Sequence, residues 1–309
     1  MPNTLAHIAV HGVANLSWRA GRYAPWILLG CVLPDVPWIA NRVLRFASPD
    51  IDEVALDLYC IVQASWLFSA LLGVAFAAFA RRPVAAALVL ASNAMLHLLL
   101  DAVEIKPGSG VHLLAPFSWR STSFEWVWPE HPTVTAVTLL GAGVGVWLLV
   151  SPRFRSPDER LVFRGPRFAV AASAVAAYLV LPLALADGPW NADYRSIRSL
   201  VGSEVSVRNR VELDRDPIVR RDGEAFVRTF GREYRLITEE ELPDGAVVSV
   251  IGYLSAPGTI RAMEVHVNDS GLRDAASIAG LLIIAAVWLR LLAESLGRPR
   301  PDAGASLAG

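Results

Sequence analysis

The sequence predicts an α-helical polytopic membrane bundle of about seven spans, with a small all-β domain of OB-like barrel type inserted before the last span. Three observations predict it. Of 309 residues, 54% are apolar and ten are Trp, a composition too apolar for an average soluble domain. Six runs, at 24–44, 54–80, 83–103, 132–151, 167–187 and 273–293, are long and apolar enough to cross about 30 Å of hydrocarbon. Between the last two, residues 188–272 change to short alternating runs split by turn residues, the pattern of an antiparallel sheet.

Taken in order, the N-terminal run "NTLAHIAVHGVANLSW" from Asn3 to Trp18 is a little short for a span. It lacks the basic start and small-residue cleavage site of a signal peptide, so it is expected to stay in the mature protein as the seventh span. The short-loop arginines set the orientation. Arg19 and Arg22, Arg81 and Arg82, the cluster from Arg153 to Arg167, and Arg298 with Arg300 mark one side, expected to be cytoplasmic. Residues 45–53, 104–131 and 188–272 then lie outside, with the N-terminus outside and the C-terminus cytoplasmic, and Arg42 and Arg45 run against the scheme. Inside 188–272, "SEVSVRNRVEL", "EAFVRTFGREYRLI", "AVVSVIGYLS" and "TIRAMEVHV" alternate as strands, with "DRDPIVRRDG", "LPDG" and "APG" as separators. The expected organisation is a membrane domain over 1–187, an extracytoplasmic β domain over 188–272, a final span over 273–293 and a disordered tail over 294–309.

A net charge of −1 offers nothing to an acidic polymer, so nucleic acid is not an expected partner. Cys31 and Cys60 both lie in apolar runs without a C-x-x-C pair, which leaves any metal to nitrogen and oxygen ligands.

The membrane runs carry polar residues that cost about 2.5–3.5 kcal/mol each at the bilayer centre and therefore face the interior and mark function. His7, His11 and Asn15 are spaced four apart; Asp35 sits between prolines in "CVLPDVPW"; Gln63 and Ser65 interrupt the 54–80 run; Asn93, His97, Asp101 and Glu104 line one face of the next. At 1.5 Å of rise per residue, Asp35, Gln63 and His97 lie about 9–14 Å below the outer end of their runs, Asp101 about 3 Å, and His7 and His11 about 6 and 12 Å. They can meet in the outer half of the bilayer. Imidazole with carboxylate from facing helices suits zinc, manganese or iron, and such an ion makes a hydroxide nucleophile from water. His131, in the "PEHP" loop, and His266, on a strand, are expected to be exposed and are set aside as ligands.

These residues resemble the YdjM-type family of predicted inner-membrane metal-dependent hydrolases. The family's N-terminal His is matched by His7, its L-P-D motif by Leu33, Pro34 and Asp35, and its H-x-x-x-D and aromatic stretch by "HLLLDAVEIKPGSGVHLLAPFSW". The resemblance covers about residues 1–150. Where the family carries H-R-G-x-T-H-S, this chain has "LYCIVQASWLFSALL", and His11 or His112 is expected to replace the missing ligands.

The expected activity is hydrolysis of a lipid or lipid-linked ester or phosphoester at the outer leaflet of a bacterial inner membrane, with a divalent metal, zinc in the first place and manganese or iron as alternatives. His7, His11, Asp35, His97 and Asp101 are the expected ligands. Asp35, His97, Asp101 and His112 are the expected catalytic groups, with Lys106 or Arg120 available to stabilise negative charge. The alternative is a non-enzymatic membrane protein with a degenerate metal site, whose β domain binds an envelope protein. A metal-ion or proton pathway fits less well, because the polar residues gather in one leaflet.

Overall fold

The computed structural model describes residues 3–15, 20–151, 160–202, 208–269 and 271–296. Part of the expected cytoplasmic arginine loop, at 152–159, part of the first expected strand, at 203–207, and the tail beyond 296 lie outside the described residues.

Eleven α-helices and five strands are described. The helices are α1 (Thr4–Ala14), α2 (Ala20–Gly30), α3 (Val36–Ala47), α4 (Glu53–Gln63), α5 (Trp66–Ala77), α6 (Pro83–Val103), α7 (Pro132–Val150), α8 (Gly165–Val180), α9 (Asp187–Asn191), α10 (Ile197–Val201) and α11 (Gly271–Leu296). Among the described residues, five helical stretches are long and apolar enough to cross a membrane: Tyr23–Ala47, Pro83–Val103, Pro132–Val150, Gly165–Asn191 and Gly271–Leu296. The pair α4 and α5 would make a sixth, but it is bent by 70° at its join.

The expected count of seven therefore falls to five, or six with the bent pair. Two causes account for it. α1 has 11 residues, about 16 Å of helix, half the hydrocarbon thickness. The 54–80 run breaks at Ala64 and Ser65, where Ser65 takes an extended N-cap conformation (φ −71°, ψ 161°) and starts α5 afresh. Gln63, at the end of α4, donates to the Tyr178 carbonyl at 3.1 Å and the Tyr59 hydroxyl at 3.2 Å, so the polar interruption secures a bend against α8.

α1 is wedged between α7 and α11 through small residues. A Cβ at Gly141 would stand 1.8 Å from the Leu5 carbonyl oxygen, and one at Gly280 would stand 2.7 Å from Thr4 Cβ, so only glycine lets the backbones come this close. At its start, Asn3 caps α1 by accepting from the Ala6 amide at 3.0 Å and donates to Thr138 of α7 at 2.7 Å.

The five strands, β1 (Arg210–Arg221), β2 (Glu224–Thr229), β3 (Arg232–Ile237), β4 (Val247–Ala256) and β5 (Thr259–Asn268), form a closed barrel in the order β1-β2-β3-β5-β4. All pairs are antiparallel except β3 with β5. "DRDPIVRRDG", expected as a separator, lies mostly within β1. Pro217 is tolerated there because a bulge between Leu213 and Asp216 shifts the register just before it, and β1 exchanges partners from β4 to β2 at Ile218. The β1–β2 turn is Asp222-Gly223, with φ of 52° and 83°, the left-handed pair that a two-residue hairpin needs.

The barrel interior is closed by Val211, Leu213, Ile218, Val227, Val248, Val250, Leu254 and Ile260, and the same core takes in Leu58 and Ile61 of α4 and Tyr194, Ile197 and Leu200 before β1. The barrel is therefore seated on the bundle. The three stretches expected outside meet at this end: Gly108 packs on Glu212 and Arg195, Glu53 approaches Gly231, and His266 pairs with Glu130 at 3.3 Å.

Candidate metal centre

Three elements supply the centre: α1 with His7, the turn after α2 with Asp35, and α6 with His97 and Asp101. The turn follows from one residue type. α2 ends at Gly30, and Leu33-Pro34-Asp35 forms a short 3-10 helix. Pro34 has no N–H for the carbonyl of Cys31, and the Asp35 amide goes to Val32 O at 2.9 Å, which leaves the Cys31 carbonyl without a local donor. His97 takes it, with Nδ1 2.6 Å from Cys31 O. A carbonyl only accepts, so Nδ1 carries the proton and Nε2 presents its lone pair.

Around that lone pair the donors converge. His97 Nε2 is 3.4 Å from Asp35 Oδ1 and 3.7 Å from Asp101 Oδ2, and His7 Nε2 is 3.4 Å from Asp101 Oδ1. The His7 and His97 rings stack with centroids 4.0 Å apart and planes 6° from parallel. Both imidazoles are wholly buried, and His7 Nε2, His97 Nε2, Asp35 Oδ1 and Asp101 Oδ1 have no hydrogen-bond partner among the described residues.

The separations exceed the usual hydrogen-bond range of about 2.7–3.2 Å. Four ligands set tetrahedrally about 2.1 Å from an ion stand about 3.4 Å from one another. His7, His97 and Asp101 thus form a buried cluster able to hold a metal ion, their ligand atoms all within 4.8 Å of one another. Asp35 touches this trio through His97.

The other expected residues lie elsewhere. His11 is buried at 6.0 Å, centroid to centroid, from His7, but its Nδ1 is committed to Asn93 Oδ1 at 2.8 Å. Asn93 is held in turn by its own bond to Val89 O at 2.9 Å and by Asn15 at 3.0 Å. His112 sits in the loop after α6 with its ring against Trp119 and Tyr194, outside the trio, and burial pushes its imidazole down to about 4. Arg120 is exposed and lines a separate surface depression with Asp187 and Asn191. Lys106 does reach the centre: its Nζ is 3.6 Å from Asp101 Oδ2 and 3.3 Å from Glu104 Oε2. Burial alone would lower the Lys106 ammonium, but Asp101 and Glu104 hold it above the ordinary lysine range.

A cavity of about 550 Å³ opens from Pro34 and Asp101 to Asp214, Arg215 and Asp216 of the barrel. Its far wall is an ion network between bundle and barrel. Arg195 donates to both oxygens of Asp216 at 3.0 Å and lies 3.9 Å from Asp57 of α4. Asp57 also accepts from Asn41 at 2.8 Å and Arg45 at 2.6 Å. Arg45 is therefore a partner of the network, which explains why it runs against the orientation pattern. Burial raises the Asp216 carboxyl to about 6 against the pull of Arg195.

Sequence reasoning missed Arg195, Arg215, Asp57 and Asp216. No sequence motif marks them; in the structure Arg195 and Arg215, with Asp193 and Ser196, have φ between 48° and 58°, a costly state for residues other than glycine. Comparisons with protein-family models, curated proteins and solved structures each return no match.

Proposed function

We propose that this chain is a membrane-embedded, metal-dependent hydrolase that acts on a lipid or lipid-linked ester or phosphoester at the outer leaflet of a bacterial inner membrane. One observation carries the proposal: ligand atoms of buried His7, His97 and Asp101 all lie within 4.8 Å of one another, with His7–Asp101 and His97–Asp101 at 3.4 and 3.7 Å and Asp35 3.4 Å from His97. Nitrogen and oxygen donors of this kind favour zinc, with manganese or iron as alternatives. The L-P-D and H-x-x-x-D matches to the YdjM-type family fall on these same residues. The barrel order β1-β2-β3-β5-β4 supports an OB-like reading of the extracytoplasmic domain.

His7, His97 and Asp101 would hold the ion, whose chemistry is to bring the pKa of a bound water towards neutrality. Asp35 lies outside the trio and is the carboxylate left to accept a proton. The Cys31 carbonyl keeps the His97 tautomer in place, and burial of the two histidines excludes bulk water. Lys106, beside Asp101, stabilises negative charge developing on a substrate in the cavity.

A second reading has its own support. Lys106 already supplies a cation to Asp101, and Gln63 binds Tyr178 instead of joining the centre. On that reading the site is degenerate, and the barrel binds an envelope protein. Metal analysis of the detergent-purified chain, with and without His97→Ala, decides between them. A stoichiometric ion lost in the variant is the expected result, and a metal-free wild type ends the hydrolase proposal.

A further inference from the structure

We infer that the cavity between the metal centre and the barrel binds a phosphate ester group, held by Lys106 and Arg215, so that the barrel completes a substrate site. This deepens the hydrolase reading and rests on it for the reaction, though not for the binding.

The chemistry of the lining points to an anion. Seven Arg and Lys side chains and five Asp and Glu side chains face the cavity, and most of the acidic ones are committed. Glu53 and Asp57 pair with Arg45, Asp216 with Arg195, and Asp101 belongs to the metal cluster. Lys106 and Arg215 share a further carboxylate, Glu104, at 3.3 and 3.8 Å, and Lys106 also stands by Asp101. Both distances are too long for strong hydrogen bonds.

Arg215 is placed by the backbone. It occupies the β1 bulge at φ 58°, and its amide bonds to Ser249 Oγ at 3.3 Å. That leaves the side chain to project from the barrel wall towards Glu104. Its Nη2 is buried and makes no hydrogen bond among the described residues. A planar guanidinium and an ammonium lining one cavity match the tetrahedral, multiply charged oxygens of a phosphate better than a single carboxylate does. A phosphate held by Lys106 lies next to Asp101, and hence beside the metal cluster. The volume is that of a small-molecule site, enough for a headgroup while acyl chains remain in the bilayer.

The test uses the full chain in detergent, without added metal, titrated with dioctanoyl phosphatidic acid and, as the uncharged control, dioctanoylglycerol. Phosphatidic acid should bind at least tenfold more tightly than dioctanoylglycerol. Arg215→Gln and Lys106→Gln should each weaken it by about ten- to a hundredfold. Inorganic phosphate as competitor assigns the source. Displacement at comparable concentration indicates a free phosphate, displacement only at large excess indicates a lipid headgroup, and no displacement at any concentration overturns the inference.

Equal affinity for the two lipids overturns it on wild type alone, so the result stands even if a variant misfolds. Exhaustive chelation of the wild type separates the two proposals. It removes any ion yet should leave phosphatidic acid affinity within about twofold, because Lys106 and Arg215 hold the phosphate. Metal binding without phosphate preference ends this inference only; phosphate preference in a chain that never binds metal ends the hydrolase reading only.

Discussion

Gly141→Ala should cost the protein its metal while Gly143→Ala, two residues along the same helix, should not. At Gly141 a new Cβ would stand 1.8 Å from the Leu5 carbonyl oxygen and 2.5 Å from its carbon, whereas at Gly143 it would meet nothing within 4 Å. Leu5 O is backbone and has no rotamer to yield, so α1 must retreat by at least about 1.2 Å to restore an ordinary contact of about 3.0 Å. His7 is two residues from Leu5 on α1, and moves with it. Its 3.4 Å separation from Asp101 Oδ1 then grows to as much as about 4.6 Å, well beyond the roughly 0.5 Å that a ligand set tolerates. Overpacking costs about 1–3 kcal/mol at Gly141, while the same change at Gly143 gains up to about 1 kcal/mol of helix propensity. The assay is metal stoichiometry and affinity, with thermal unfolding, of both variants in the same detergent. Affinity should fall at least tenfold for Gly141→Ala only. Equal metal affinity in the two variants would refute the placement of α1 and the part given to His7.

Four further outcomes are expected. Pro34→Ala restores an N–H able to compete for Cys31 O, and should lower metal affinity by about 10–100-fold through the His97 tautomer without unfolding the chain; unchanged affinity denies the turn that role. His112 titrates at about 4 in the fold against about 6.5 unfolded. It therefore contributes stability above about pH 6.5 that is lost as pH falls towards 4, and His112→Gln should flatten the melting temperature between pH 7 and pH 5; a slope equal to wild type rules this out. Residues 188–269 expressed alone should give a β-rich spectrum but self-associate, because Leu58 and Ile61 no longer cover the barrel core; a monomer, or a helical or disordered spectrum, would contradict the shared core. Reporter fusions at Gly223 and Asp158 should show opposite sides of the membrane, Gly223 outside, and a cytoplasmic signal at Gly223 inverts the orientation.

The helical runs and the β-rich insertion were legible in the sequence because both report local physics: hydrocarbon thickness sets the length of an apolar run, and the pleat sets the alternation of a strand. His7, Asp35, His97 and Asp101 were legible for a related reason, since a charge in an apolar helix is too costly to be incidental. Local pattern was less informative where backbone pairing intervened. "DRDPIVRR" carries the composition of a turn, yet a bulge and an exchange of partners make it a strand.

What the sequence by itself determined is therefore the membrane class, the β insertion and the residues of the cluster. Which of them stand close enough to hold one ion was decided only by the tertiary structure. His7 and His11 have the same spacing signal, but glycine contacts to α7 and α11 set the depth of α1 so that His7 faces His97 and His11 faces Asn93. The cavity is also a tertiary product. Lys106 stands far in the chain from Arg195 and Arg215, and in the sequence the two arginines look like ordinary surface charges. They meet only because the barrel core extends onto Leu58 and Ile61 of α4, burying charges that water would otherwise have screened.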